Sequence, residues 1–493
     1  MSETEQTTRA RYLRWSAILL VAFVAMWLLR ALHKPLWRDD VVSVFAAHGS
    51  LARAFQIGRG DSSGLLFNPI LHLWMKLVGR SALGLRILPL IFSLATVVAL
   101  QRRARAWLTA AETRPASSAH GLLILAALSL NPVLIFYSTE LRNYALFFFF
   151  VTLLLLATER LLREERGAWI GVLIASSLTV LVNPLGLIWV LANSIVLAAV
   201  AIARGKWRWL AAALGFALVA ALALRPWLRQ LLEHALALRT GSWIVMQPIE
   251  LLSELRDVFA PYDQIVVSDL PTNLFAAVCT ALALCGAVQV LRDRHQQGPA
   301  YFLGLASLAA IPFLVITYVE SIFLAPIFFR RYLACSFASF AALTLLGYSL
   351  RVFRKRSVLA VAATLHASVL VLMLASIVWP GSELDYAQLA KSDVPVFTAE
   401  DPDILPCLYY ARDCKFIGAP RNIRRSIGAF WFEEEIPSVS AWSEVRSPEL
   451  EAVIRNENRD ATNRALEALG YEHVGAEVTG ILTSLSRWRR AGK

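Results

Sequence analysis

Eleven apolar runs punctuate this chain of 493 residues, at approximately 15–32, 86–101, 120–136, 144–158, 168–183, 186–203, 209–224, 272–291, 300–318, 333–350 and 357–379. Each ends in charge, proline or glycine. A hydrocarbon layer of about 30 Å takes roughly 20 apolar residues of helix, and fewer where a helix is enclosed by others. The runs therefore predict a mainly α fold, a polytopic transmembrane helical bundle of about 11 spans. Composition agrees: 57% of the residues are hydrophobic and 17% charged, whereas charge occupies about a quarter of an ordinary soluble domain. The same wealth of aliphatic and aromatic residues excludes disorder. Arg11 and Arg14 precede the first run as they would in a secretory signal, but the run is long and reaches Leu28-Leu29-Arg30 rather than a small-residue cleavage site. It predicts a retained helix.

A net charge of +12 can mark a nucleic-acid binder, so its distribution matters. Segments 1–14, 101–119, 159–167, 204–209, 292–298 and 351–356 hold 19 Lys and Arg in 61 residues, against 13 in the 128 residues of 33–84, 132–143, 183–186, 225–270 and 319–332. Basic residues are retained on the cytoplasmic side of short connections. The amino terminus is thus expected in the cytoplasm and the long loops outside. Most of the positive charge reads as topology, and no nucleic-acid partner is expected.

With an odd number of spans the carboxyl terminus lies outside too. Residues 1–379 form the transmembrane domain, with a first outer loop at 33–84 that carries amphipathic helices. Residues 380–493 lose the long apolar runs and predict a small extracytoplasmic α/β domain. Strands are expected at 394–399 and 474–478 and an amphipathic helix over 447–469. Cys279, Cys285 and Cys335 fall in spans as small packing residues. Cys407 and Cys414 lie in the outer domain, where an oxidising compartment permits a disulfide if the chain turns back between them.

Charge beside a membrane needs a reason, and on the outer side it gathers in three places. Asp39 and Asp40 follow the first helix, before a VVSVFAA stretch that predicts an amphipathic helix on the membrane surface. Paired carboxylates can hold a divalent cation (Mg, Mn or Zn), or one can take a proton from an acceptor hydroxyl; helix capping is the structural alternative. Asp61, farther along the loop, could join that site or cap the next helix. His72 and Trp74 read as packing and interfacial residues. The second place holds Glu140, Arg142 and Tyr144, where the planar guanidinium suits a phosphate and a Glu–Arg structural pair is the alternative. The third holds Arg330 and Arg331, two cations on the side that the topology bias disfavours. Trp243, in the outer loop 225–270, could line a cavity or anchor at the interface.

The motifs PLWRDDVVSV, NPILHLWMKLVGRSALGLRILP, YSTELRNY, WIVMQP and RRYL, in this order and on one side, resemble the GT-C integral-membrane glycosyltransferases. The likeness is to the protein mannosyltransferase-like and aminoarabinose-transferase-like branch and covers most of residues 15–350. Asp-Asp stands where the family more often has Asp-Glu, and Phe67-Asn68-Pro69 where many members have His-Pro-Pro. The resemblance implies a multi-pass enzyme of the bacterial inner membrane that moves a sugar from a polyprenyl-phosphate donor to a lipid, protein or polysaccharide acceptor outside the cytoplasm. The anomeric carbon would be inverted. It implies that Asp39 acts as base or metal-orienting group, assisted by Asp40 or Asp61, and that Arg142 with Arg330 or Arg331 stabilises the departing phosphate. A polysaccharide ligase or polymerase using a diphosphate-linked donor shares the outer location and basic groups. A transporter of lipid-linked substrates would instead show inverted repeats and mid-membrane charge.

Overall fold

The computed structural model describes residues 3–36, 38–60, 64–109, 118–225, 254, 258–259, 270–292, 299–323, 327, 330–348, 356–378, 386–398, 404–417, 438–439, 441–455, 458–474, 478–479 and 483–491. The first helix, α1 (Glu3–His33), is followed by α2 (Arg38–Ala47), α3 (Leu51–Gly60) and α4 (Gly64–Val78), which occupy the loop expected at 33–84. The chain then runs through α5 (Ala82–Thr109), α6 (Ser118–Ser129), α7 (Pro132–Tyr137), α8 (Tyr144–Leu162) and α9 (Ala168–Val182). Among the described residues six helices are long and apolar enough to cross a membrane: Gln6–His33, Ala82–Ala106, Tyr144–Leu162, Gly186–Ala203, Asn273–Arg292 and Tyr301–Phe323. Gly64–Val78, Gly121–Tyr137, Ala168–Val182, Trp207–Leu222 and Ala363–Ala375 are apolar but shorter. The protein is multi-pass, and length marks six spans where the apolar runs suggest eleven. Local breaks account for part of the difference: Asn131-Pro132 interrupts one run, and Asn183-Pro184 ends another.

Lipid cannot drive helices together by hydrophobic burial, so packing must come from close contact. Helices Leu270–Arg292 and Phe337–Tyr348 achieve it with glycine. A Cβ on Gly286 would strike the Leu343 carbonyl, and one on Gly347 would strike that of Leu282. Trp189 stacks on Phe313 with centroids 4.5 Å apart, and Tyr137 meets both Tyr144 and Phe148 edge-on. Outward residues such as Val21, Leu214, Leu284 and Val371 are exposed and apolar, as a lipid-facing belt requires.

The first outer loop departs from expectation in one respect. Val41, Val44, Ala46 and Ala47 of α2 are all buried, so the helix is enclosed by its neighbours rather than laid on the membrane. The surface amphipathic helix is α3, where Ala54 and Ile57 are buried while Leu51, Phe55 and Arg59 are exposed.

The C-terminal sheet region contains β1 (Val396–Thr398), β2 (Cys414–Ile417), β3 (Ser438–Val439), β4 (Glu449–Arg455), β5 (Tyr471–His473), β6 (Val478–Thr479) and β7 (Thr483–Arg490). Among the described residues the strand order is β3-β2-β1-β4-β7-β5, with β6 also on β7. The β1–β2, β1–β4 and β2–β3 pairs are parallel, and β4 runs antiparallel to β7 from Glu449 opposite Arg489 to Arg455 opposite Thr483. Here the helix expected over 447–469 is corrected. Its first half is β4, because Leu450, Ala452 and Ile454 alternate onto one buried sheet face with Phe397 and Trp488; helix forms only at Arg459–Ala468. Of the strand expected over 474–478, Val478 lies in β6, Val474 follows β5, and 475–477 lie outside the described residues. The opposite sheet face, through Val396, Phe416, Val453 and Leu485, joins the same apolar cluster as the membrane helices. A disulfide links Cys407 and Cys414, tying helix Ile404–Tyr410 to β2.

Candidate active site

Pro35 cannot continue α1, and the chain restarts as α2 with Asp39 and Asp40 in its first turn, where the helix dipole favours negative charge. Successive residues of a helix point about 100° apart, so the two carboxylates diverge. Asp40 turns into the protein. It is fully buried, accepts the Leu141 N–H at 2.6 Å and faces Arg86 Nη2 at 3.7 Å. Asp39 turns toward helix Arg330–Leu333 and receives Arg331 Nη1 on Oδ2 at 2.7 Å. Both side chains of that second pair keep some exposure, 25% for Arg331 and 22% for Asp39. One aspartate is thus sealed and one accessible.

Arg86 explains how the turn before α2 is held. Its guanidinium donates to the carbonyls of Thr139 at 3.0 Å, Ala31 at 3.1 Å and Pro35 at 2.6 Å, and also to Lys34. Arg30, in the last turn of α1, donates through Nε to Thr139 Oγ1 at 2.8 Å, faces Glu140 at 3.8 Å and lies over the Phe136 ring. Trp27 Nε1 donates to the Ser138 carbonyl at 3.1 Å. These contacts fasten segment 136–141 to the end of α1. Arg142 then reaches α2, donating to Ser43 Oγ at 3.4 Å, while Ser43 donates to the Asp39 carbonyl at 3.2 Å.

Tyr144 opens α8 and is buried against Tyr137. Its phenol feels the charges of Arg331, Arg142, Asp39 and Glu140, so these expected site residues do converge. Tyr332 feels Arg142, Arg331 and Asp39 and belongs to the same cluster. Among the described side chains, Arg30, Arg86, Arg142 and Arg331 stand against Asp39, Asp40 and Glu140. That excess of guanidinium suits an anion. Arg330 begins its helix, but its side chain lies outside the described residues, as do Asp61 and Trp243.

Arg30, Arg86, Ser43 and Tyr332 escaped the sequence reading. The first two left a signal, since an arginine inside an apolar run such as WLLRALH or LGLRILP needs partners of its own. No group of three or more His, Cys, Asp or Glu side chains that could hold a metal ion occurs among the described residues. Asp39 and Asp40 are each engaged by a guanidinium and point apart, so the pair alone does not form a cation cage.

The fold that carries this cluster is shared with solved structures of ArnT. Among solved structures, ArnT from Cupriavidus metallidurans bound to undecaprenyl phosphate matches with a TM-score of 0.56 and 14% identity, over 96% of this chain and 98% of that one. ArnT from the same organism in the apo state gives 0.54 and 13%, over 96% and 97%. The arabinofuranosyltransferase AftD from Mycobacteria gives 0.47 and 14%, over 97% of this chain and 40% of that chain. No protein-family model and no curated protein matches the chain.

Proposed function

We propose that this protein is a membrane glycosyltransferase that moves a sugar from a polyprenyl-phosphate-linked donor to an acceptor on the extracytoplasmic side. The observation that carries the reading is the partly exposed Asp39–Arg331 pair with Arg142 and Tyr144 beside it. ArnT, whose fold it shares, binds undecaprenyl phosphate, which supports a donor of that chemical class. The apolar runs support about eleven spans, the charge bias of the loops supports a cytoplasmic amino terminus and an extracytoplasmic domain at 380–493, and the family resemblance supports a bacterial inner membrane.

In this reading Asp39 accepts the proton of the acceptor hydroxyl as the oxygen bonds to the anomeric carbon. The bond from that carbon to the phosphate oxygen breaks, and the polyprenyl phosphate leaves with its electron pair. Arg331 and Arg142 stabilise the anion as charge develops on it. Displacement in one step inverts the anomeric carbon. Asp40 holds the loop rather than reacting, because its carboxylate is buried on the Leu141 amide. Glu140 positions Arg30.

The test supplies the purified membrane protein with a panel of polyprenyl-phosphate sugars. Consumption of one, abolished by Asp39→Asn, is expected. Transfer that survives Asp39→Asn would falsify the assignment of Asp39, and binding of a diphosphate-linked oligosaccharide with no turnover of any monophosphate sugar would favour a ligase.

A further inference from the structure

Between the end of α1 and the start of α2, backbone groups of Lys34, Pro35 and Leu36 are bound by side chains from elsewhere in the chain. Arg86 binds the carbonyls of Lys34 and Pro35. Leu36, three residues before Asp39 and fully buried, is bound by a side chain from the extramembrane domain: its N–H donates to Tyr410 Oη at 2.7 Å, and the same hydroxyl donates to the Leu36 carbonyl at 3.4 Å. Both backbone groups of one residue are thereby held by one phenol, 374 positions away in the chain. Next to it Tyr409 Oη donates to the Arg80 carbonyl at 2.6 Å, gripping the turn that leads into α5 and Arg86. The two rings meet edge-on at 4.8 Å and brace one another.

The helix that carries these tyrosines, Ile404–Tyr410, is too short to be stable by itself. It is held by the Cys407–Cys414 disulfide and by burial of both cysteines. Phenylalanine would fill the same space as tyrosine at 410. What the hydroxyl adds is a fixed position for the Leu36 backbone, and with it the start of α2.

We infer that Tyr410 is a positioning residue, through which the extramembrane domain sets the Leu36 backbone and so the placement of Asp39 opposite Arg331. The inference rests on Asp39 being the reactive carboxylate. A reacting group displaced by about 1 Å can lose two orders of magnitude in rate, whereas one lost hydrogen bond leaves the fold intact.

The experiment uses the full chain reconstituted in lipid, as wild type, Tyr410→Phe, Asp39→Asn and Tyr471→Phe. Tyr471 donates to the Ser447 carbonyl at 2.6 Å within the same domain, away from the loop, and controls for general loosening. For Tyr410→Phe we expect kcat to fall by about threefold to tenfold, with undecaprenyl phosphate affinity unchanged, the melting temperature lowered by a few degrees at most, and faster amide exchange in a peptide spanning 33–43. Tyr471→Phe is expected to leave kcat, affinity and exchange over 33–43 unchanged. An unaltered kcat in Tyr410→Phe, an equal loss in Tyr471→Phe, or unaltered exchange over 33–43 each overturns the positioning role. Asp39→Asn separates the two levels: transfer retained there defeats the catalytic reading itself, while transfer lost there but intact in Tyr410→Phe defeats only the positioning role. Exchange needs no turnover and tests the contact directly.

Discussion

Asp39 and Arg331 stand 292 positions apart in the chain and 2.7 Å apart in space, with both side chains partly open to their surroundings. A guanidinium so placed can turn its planar fork from carboxylate to phosphate, which a lysine's point charge does less well. Arg331→Lys is expected to lower transfer by about tenfold or more and to weaken undecaprenyl phosphate binding, with the melting temperature nearly unchanged. Equal binding and transfer in the lysine variant would remove Arg331 from the phosphate site.

Asp40 is expected to behave in the opposite way to its neighbour. Its carboxylate is buried between the Leu141 amide and Arg86, so Asp40→Ala leaves a buried guanidinium without that counter-charge, a change worth about 3–5 kcal/mol of stability. Loss of folded protein in detergent, read by melting temperature and size-exclusion profile, checks this. Asp39→Asn should leave both measurements intact while abolishing transfer.

Gly64 begins α4 at φ +73°, and a Cβ there would collide with the Val182 carbonyl at the end of α9. A side chain therefore meets both backbone strain and a fixed wall. Gly64→Ala is expected to lower stability by at least about 1–2 kcal/mol; an unchanged melting temperature would show that the first outer loop can shift away from α9.

The contact between domains carries a pH signature. Burial pushes the Tyr410 phenol above the ordinary tyrosine range, although the Leu36 backbone pulls it the other way. A phenol that holds its proton more tightly when docked stabilises docking fully below its ordinary value of about 10, and that contribution is lost as pH rises past it. Protection of the 33–43 amides, measured against the intrinsic base-catalysed exchange rate at each pH, should fall in the wild type above about pH 10, and Tyr410→Phe should show no such step.

Much of the candidate cluster was legible because charge beside a membrane is rare enough to be noticed. Asp39, Glu140, Arg142 and Arg331 stood out for that reason, and Tyr144 came with them through its spacing. Pairing was not legible: nothing in the sequence ties Asp39 to Arg331, or separates the fates of two adjacent aspartates, until α2 turns them apart. Arg86 could have been found, since a cation in LGLRILP calls for several acceptors, and it has them. The apolar runs announced helices well, whereas β4 was hidden. ELEAVIR fits a helical face as readily as a strand, and only its position between β1 and β7 decides.

The order in which partners occur along the chain sets the order in which the protein can become competent during synthesis. Asp40 meets Arg86 and Leu141, both made early, so the scaffold around the buried carboxylate can close while much of the chain is still on the ribosome. Asp39 must wait for Arg331, and Leu36 must wait longer still for Tyr410. A chain cut short in translation could hold the scaffold around Asp40 without ever forming the Asp39–Arg331 pair.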